Sequence, residues 1–220
     1  MLPTLPSLTV DVWADIACPW CWIGERRLRR ALEARPALHA HLRWRPFLLQ
    51  PDLPASGMDW TDFIERKFGG MDRAAPAFRQ VQQAGNGEGV EFRFDRMRRA
   101  PATGDAHRLI LAAQEVGMAW EMAESLFRAH FTDGMDLNHR QDLLSAASRG
   151  GLDRAAATSV LDGDGGLAEL EEGRYEAVQL GIQGVPFFVF GNRYAVSGAH
   201  PPEAILQAVD AALRDVVLQS

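Results

Sequence analysis

The stretch Cys18-Pro19-Trp20-Cys21 contains both cysteines of this 220-residue chain. Residues 8–13 ahead of it form a short run that is rich in β-branched and aromatic residues, which predicts a strand. From Pro19 to about Ala34 the apolar residues recur at helical spacing. Proline suits the first turn of a helix, where a backbone N–H has no partner. The cysteine pair is therefore predicted at the start of a helix that follows a strand.

The spacing of the two cysteines favours redox chemistry over a structural disulfide. A bridge across so short a loop restricts the unfolded chain little. Thiol–disulfide exchange needs one thiolate that attacks and a second thiol that resolves the mixed disulfide. The helix start favours a thiolate at Cys18, so Cys18 is predicted as the nucleophile and Cys21 as the resolving cysteine. Pro19 and Trp20, which lie between the two cysteines, are predicted to contact the substrate.

A zinc site is the competing interpretation of the cysteine pair. Zinc would need four ligands, so a second Cys-x-x-Cys or a His-x₃₋₅-His pair would be expected. The histidines form no such pair, and they are His39, His41, His107, His130, His139 and His200. We therefore expect no metal and no cofactor, while a cysteine pair without activity remains an alternative to the redox centre.

Charge and hydropathy narrow the classes of partner. The net charge is −6 and no stripe of basic residues is present, so nucleic acid is not an expected partner. No apolar run approaches the roughly 20 residues that span a bilayer, and the first residues lack the basic region of a secretory signal. We expect a cytoplasmic protein that does not bind membranes.

The order of predicted elements is β-α-β, a long helical block, and then β-β-α. The outer parts predict an α/β domain, formed by residues 1–57 and 182–220. Residues 58–181 predict an inserted helical subdomain, because a structureless connection of that length is rare in a compact domain. The last strands, at 185–190 and 194–196, are separated by a turn and predict a hairpin.

Gly184-Val185-Pro186 opens the first strand of this hairpin. Proline at a strand start commonly marks only an edge position. In a two-cysteine redox protein, however, a cis proline beside the sulfur leaves the preceding backbone free to pair with an extended substrate. We therefore predict a cis bond before Pro186 and substrate contacts from Val185 and Pro186.

Six segments that span nearly the whole chain carry a family resemblance. They are Asp15-Ile16-Ala17-Cys18-Pro19-Trp20-Cys21-Trp22-Ile23-Gly24, Trp44-Arg45-Pro46-Phe47, Leu49-Gln50-Pro51-Asp52, Ala106-His107-Arg108-Leu109, Gly184-Val185-Pro186-Phe187-Phe188-Val189 and Ser197-Gly198-Ala199. This ordered set resembles the DsbA family of the thioredoxin superfamily, in its FrnE-like branch. That branch is related to kappa-class glutathione transferases and 2-hydroxychromene-2-carboxylate isomerases.

The resemblance implies a thioredoxin-like fold with a large all-helical insertion. It also implies that Cys18 is the nucleophile, Cys21 the resolving cysteine and Pro186 the cis proline. Two positions depart from the branch, which typically has glutamine in place of His200 and asparagine in place of Ala102. The related isomerases and transferases typically carry serine in place of Cys18, so the presence of both cysteines points away from activation of a glutathione thiolate.

Three polar residues outside the tetrapeptide are further candidates. His107 lies in an amphipathic helix, where a packing or hydrogen-bond role is favoured and substrate binding is the alternative. His200 follows the hairpin and is a candidate substrate contact if the hairpin folds toward the cysteines. Asp15 is favoured as a helix-entry turn residue, with proton transfer to or from Cys21 as its alternative.

The leading functional hypothesis is exchange of disulfides with protein or small-molecule thiols, with glutathione as an expected redox partner. In a reducing compartment a reductase or isomerase is favoured over a net oxidant. A glutathione-dependent isomerase or transferase is the second hypothesis, and it rests on fold resemblance alone. The third is a non-catalytic chaperone or binding module that uses the surface around Trp20.

Overall fold

The computed structural model describes residues 7–219 and has a mixed sheet flanked by helices. The elements of the first part are β1 (Ser7–Ala14), α1 (Pro19–Glu33), β2 (His39–Pro46), β3 (Met58–Asp59), α2 (Trp60–Phe68), α3 (Met71–Asn86), a 3₁₀ turn (Phe94–Arg96) and β4 (Arg99–Ala100). Those of the second part are α4 (Gly104–Glu115), α5 (Ala119–Phe131), α6 (Arg140–Arg149), α7 (Arg154–Asp162), α8 (Leu167–Gln179), β5 (Phe187–Phe190), β6 (Tyr194–Ser197) and α9 (Pro202–Gln219).

Four strands form the main sheet in the order β2-β1-β5-β6. β1 pairs in parallel with β2, with Val10 opposite Leu42, and antiparallel with β5, with Val10 opposite Phe190. β5 and β6 form the predicted antiparallel hairpin. Because β1 is a central strand, the loop that follows it leaves the sheet between β2 and β5, and α1 begins there.

The two faces of the sheet are covered by different helices. Val12 and Phe188 belong to the main apolar cluster, which also contains Leu28 of α1 and Val209 of α9. Trp13 faces the other way and packs with Ala177 of α8. Side chains of a strand alternate between the faces, so β1 supplies residues to both clusters. This arrangement confirms the predicted thioredoxin-like fold.

Between β2 and β5 the chain is mainly helical, as predicted, and it also contains a short ribbon. β3 and β4 pair antiparallel over two residues each, with Met58 opposite Ala100. The main apolar cluster continues from Trp22 of α1 into α5, where Trp22 stacks on Phe127 with ring centroids 5.9 Å apart. The inserted helices therefore share a core with the sheet domain. The exact boundaries at residues 57 and 181 stay predictions.

Among residues 7–219, no helix combines the length and the apolar character that crossing a membrane requires.

One glycine lets α1 approach the segment ahead of β5. A Cβ atom on Gly24 would lie 2.7 Å from Cγ of Pro186 and 3.2 Å from the Phe188 ring. Real Cβ atoms do not approach other carbons so closely, so a larger residue here would push α1 and Pro186 apart. The start of α1 and Pro186 are thus held together by direct contact.

We expect Gly24→Ala to lower the free energy of unfolding by about 1–3 kcal/mol, because overpacking forces backbone shifts. Gly104→Ala is the matched control. Its Cβ would meet nothing nearer than 3.7 Å, at a Leu170 methyl, so it should be neutral or slightly stabilising. Urea denaturation of both variants measures the difference. Equal stability of the two variants would contradict the close contact.

Candidate active site

Cys18 occupies the position immediately before the first residue of α1, and Pro19 is the first helical residue. The first turn of α1 carries no acidic side chain, and no side chain caps it. Its free N–H groups and the helix dipole therefore act on the sulfur of Cys18. The backbone N–H of Cys21 donates to the carbonyl of Cys18 at 3.0 Å, which places the second cysteine one turn inward. The predicted position of the pair at a helix start is confirmed.

Both cysteines are free thiols, and both are largely covered by the fold. Cys18 is 5% exposed and Cys21 1%, so Cys18 is the more accessible of the two by a small margin. Burial raises the pKa of the Cys21 thiol well above its usual value, and its interaction with Cys18 raises it further. Cys21 therefore needs help to lose its proton when it attacks a mixed disulfide.

A groove beside Cys18 brings together residues that are far apart in sequence. The Cys18 thiol donates to the carbonyl oxygen of Val185, with the two atoms 3.6 Å apart, and the Val185–Pro186 peptide bond is cis. Trp20, Val185, Pro186 and His200 line the same groove. Four of the predicted substrate-contact residues thus share one surface. Their contacts with a substrate stay predictions.

His107 does not line this groove. Its side chain is fully buried, and its Nδ1 accepts a hydrogen bond from the indole N–H of Trp44 at 3.0 Å. Its Nε2 lies 3.5 Å from Oδ1 of Asp15. A residue without access to the surface cannot contact a substrate directly, so the structure replaces the substrate-binding interpretation of His107 with a structural link between Trp44 and Asp15.

Asp15 is a buried carboxylate directly behind the cysteine pair. It accepts hydrogen bonds from the N–H groups of Ala17 at 3.1 Å and Leu49 at 2.7 Å. Burial alone would raise its pKa, but His107, Leu49 and Thr103 outweigh burial and hold the pKa of Asp15 below its usual value. Asp15 is therefore an ionised carboxylate at neutral pH, and it also orders the turn as the sequence indicated.

Asp15 also acts directly on the resolving cysteine. A hydrogen bond from its backbone to the Cys21 sulfur lowers the pKa of Cys21, and the negative charge of its side chain raises that pKa by a smaller amount. An ionised carboxylate beside a thiol opposes the ionisation of that thiol, so Cys21 keeps its proton in the dithiol form of the protein. The pair supplies an acid and a base within the buried part of the site.

The arginines that follow the cysteines hold the site together rather than contact the sulfur. Arg26 pairs with Glu124 of α5, which also accepts a hydrogen bond from Trp22 at 2.7 Å. Arg27 pairs with Glu88 at 2.8 Å and donates to the carbonyl of Ala199 in the loop after β6. Charged groups thus connect α1 to the inserted helices and to the hairpin.

His130 is a residue near the site that the sequence reasoning missed. It is 2% exposed, and burial lowers the pKa of its imidazole to about 4. It lines a cavity that reaches Ala17 and Pro19, next to Cys18. The only signal in the sequence was a histidine on an apolar helix face, which is more commonly a packing residue.

The sequence profile of the family described as "DSBA-like thioredoxin domain" matches residues 9–210. The chain belongs to this family. A probable DsbA oxidoreductase from Streptomyces coelicolor is 31% identical, with a TM-score of 0.86 over 94% of this chain and 91% of that chain. The match confirms the predicted family. At the level of the family, it also confirms an enzyme of thiol–disulfide chemistry.

Two further proteins match this chain over nearly its whole length. The uncharacterised protein YwbO from Bacillus subtilis is 24% identical over 207 residues, which is 92% of this chain and 96% of YwbO. The cytosolic disulfide reductase DsbM from Pseudomonas aeruginosa, solved with GSH, has a TM-score of 0.61 and 22% identity over 96% of this chain and 98% of that chain. At this identity the likeness to DsbM shows the fold alone.

Proposed function

We propose that this chain exchanges disulfides with thiol- or disulfide-containing substrates through Cys18 and Cys21. The observation that carries the proposal is the position of the Cys18 sulfur, at the start of α1 and 3.6 Å from the Val185 carbonyl beside Pro186. There the positive end of the helix dipole faces the sulfur, and the neighbouring groove gives a substrate access to it.

In the first step the Cys18 thiolate attacks one sulfur of a substrate disulfide. A mixed disulfide forms between Cys18 and the substrate, and the other substrate sulfur leaves as a thiolate. Val185 precedes Phe187, the first paired residue of β5, so its backbone is outside the sheet ladder and next to the sulfur. An extended substrate can pair with it there, while Trp20 and His200 contact its flanks.

In the second step the sulfur of Cys21 attacks the sulfur of Cys18. The Cys18–Cys21 disulfide forms and the second substrate sulfur is released, so the substrate gains two electrons and the cysteine pair loses them. Asp15 is the base for the Cys21 proton, because it is an ionised buried carboxylate that acts on this thiol, and the Cys18 charge that opposes ionisation of Cys21 is absent once Cys18 is in the mixed disulfide. His107 positions this carboxylate, because its Nε2 lies 3.5 Å from Oδ1 of Asp15.

The direction of net exchange depends on the partner that regenerates the cysteine pair. In a reducing cytoplasm glutathione would return the disulfide to the dithiol, and the chain would then act as a reductase or isomerase. DsbM, a cytosolic disulfide reductase solved with GSH, has the same fold. The site does not support the alternative of a glutathione-dependent isomerase. Such an enzyme needs only one hydroxyl to activate the glutathione thiolate, whereas this site has both Cys18 and Cys21.

We expect Cys18→Ser to reduce insulin reduction with a dithiol donor to background, a loss of about a hundredfold or more, because no nucleophile remains. Cys21→Ser should retain the first step and accumulate a mixed disulfide at Cys18, which mass spectrometry of acid-quenched samples detects. The double variant gives the background rate. Wild-type activity equal to that of Cys18→Ser would reject the proposed function.

We expect Asp15→Asn to slow release of the second substrate thiol by about tenfold or more at neutral pH, because Cys21 loses its proton acceptor. Rapid-mixing kinetics that separate the two release steps measure this rate. The deficit should shrink as the pH rises, since Cys21 then ionises without a base.

Asp11→Asn is the matched control for this variant. Asp11 is equally buried in β1 but pairs with Arg43 and Arg45, away from the cysteines. It should leave both release steps unchanged in active, folded protein. If Asp15→Asn slows both steps by the same factor at every pH, then Asp15 has only a structural role.

A further inference from the structure

A second cavity opens beside the cysteine pair, distinct from the groove at Val185 and Pro186. Its lining includes Ala17 and Pro19, the neighbours of Cys18, together with Gln50, Leu53 and side chains of the inserted segment. Its volume of about 70 Å³ is roughly half that of a cavity that encloses a benzene ring, and one side is open. It therefore holds part of one ring, with the rest of the bound molecule outside its open side.

The walls of this cavity are flat and aromatic. Trp60 stacks on Phe63 with centroids 5.5 Å apart and on Phe78 with centroids 6.0 Å apart. Phe78 in turn stacks on Phe94 at 4.3 Å, and Phe131 completes the wall. Aromatic rings gain most from offset-stacked and edge-to-face partners, so the cavity suits a planar aromatic group.

Lys67, the single lysine of the chain, lies at the edge of the cavity. Its ammonium is 5.3 Å from the centroid of the Phe63 ring and 5.6 Å from that of Phe68. Within residues 7–219 it forms no ion pair with a carboxylate. An aromatic site with one uncompensated positive charge is complementary to an aromatic ring that carries an anionic substituent.

His130 supplies a buried polar group to the same cavity. Its imidazole is neutral at physiological pH, because burial lowers its pKa to about 4. A neutral imidazole offers one N–H donor and one acceptor nitrogen. The indole Nε1 of Trp60, in the wall of the same cavity, is a buried donor without a hydrogen-bond partner in the described part of the chain. Buried polar groups in proteins are normally paired, so a ligand group is the fitting partner.

We propose that this cavity binds small aromatic disulfides that carry a carboxylate on the ring, and presents their sulfur to Cys18. The inference rests on the proposed function and names its substrate class. Lys67 binds the carboxylate, the aromatic wall binds the ring, and His130 hydrogen-bonds to a polar substituent. A carboxylate on the ring itself, which no protein side chain carries, distinguishes this small-molecule class from a polypeptide.

The reaction at this site is the exchange already described, with an aryl disulfide as oxidant. Cys18 displaces one aryl thiolate and forms a mixed disulfide with the other aryl sulfur. Cys21 then displaces that second aryl thiolate and closes the Cys18–Cys21 disulfide. The aryl disulfide gains two electrons, the two cysteines lose two, and their two protons pass to the buffer.

The test compares the reduced protein's reaction with dithiobis(nitrobenzoate), which carries ring carboxylates, and with dithiodipyridine, which carries none. Lys67→Gln should lower kcat/KM for the nitrobenzoate by about threefold to fivefold, as expected for a partly exposed charge pair, and leave dithiodipyridine unchanged. Arg79→Gln is the matched control. It removes the same charge from an exposed position next to Phe78 that does not line the cavity, and should change neither rate.

Phe78→Leu tests the aromatic wall, and should lower the rates of both aryl disulfides without affecting the non-aromatic disulfide cystamine. Lys67→Gln replaces an exposed side chain, so the test stands even if Phe78→Leu fails to fold. Two results would overturn the assignment. One is that Lys67→Gln lowers kcat/KM equally for both aryl disulfides, and the other is that Arg79→Gln lowers kcat/KM for the nitrobenzoate as much as Lys67→Gln does. The assignment is also wrong if an uncharged apolar peptide inhibits the reaction with dithiobis(nitrobenzoate) whereas free nitrobenzoate does not. If wild-type protein reacts with neither disulfide through Cys18, the proposed function itself fails.

Discussion

The contact between the start of α1 and the segment ahead of β5 is the constraint on which the rest of the site depends. Gly24 allows the Pro186 ring to approach the helix, and the Cys18 thiol then reaches the Val185 carbonyl. These residues are about 160 positions apart in sequence, and only the central place of β1, between β2 and β5, brings them together. The nucleophile and the substrate groove therefore exist only in the complete fold.

The inserted helices complete the site from the other side. They supply His107, which holds Asp15, and most of the lining of the aromatic cavity that includes Pro19. Because Trp22 of α1 packs into the same apolar cluster as α5, the helix that carries both cysteines is fixed by the sheet and by the insertion together. The groove at Pro186 and the aromatic cavity that includes Ala17 and Pro19 thus both border residues that adjoin or contact Cys18.

Much of this arrangement could be predicted from local sequence patterns. The helix start at Cys18 and the hairpin at β5 and β6 follow from proline placement, periodicity and turn residues. The buried contacts could not be predicted in this way, because they join elements by tertiary packing. His107 and His130 look alike on amphipathic helices, yet one supports Asp15 and the other faces a cavity. The ribbon of β3 and β4, two residues per strand, is too short to leave a periodic signal.

The measurement that tests the central claim most directly is a redox titration of the Cys18–Cys21 pair in glutathione buffers. Samples would be quenched with acid, alkylated and analysed by mass spectrometry. The account predicts reversible formation of one intramolecular disulfide that follows a two-electron curve, with about 30 mV per tenfold change in the ratio of oxidised to reduced protein. Thiols that stay reduced throughout, or that form only glutathione adducts without the Cys18–Cys21 bond, would contradict it.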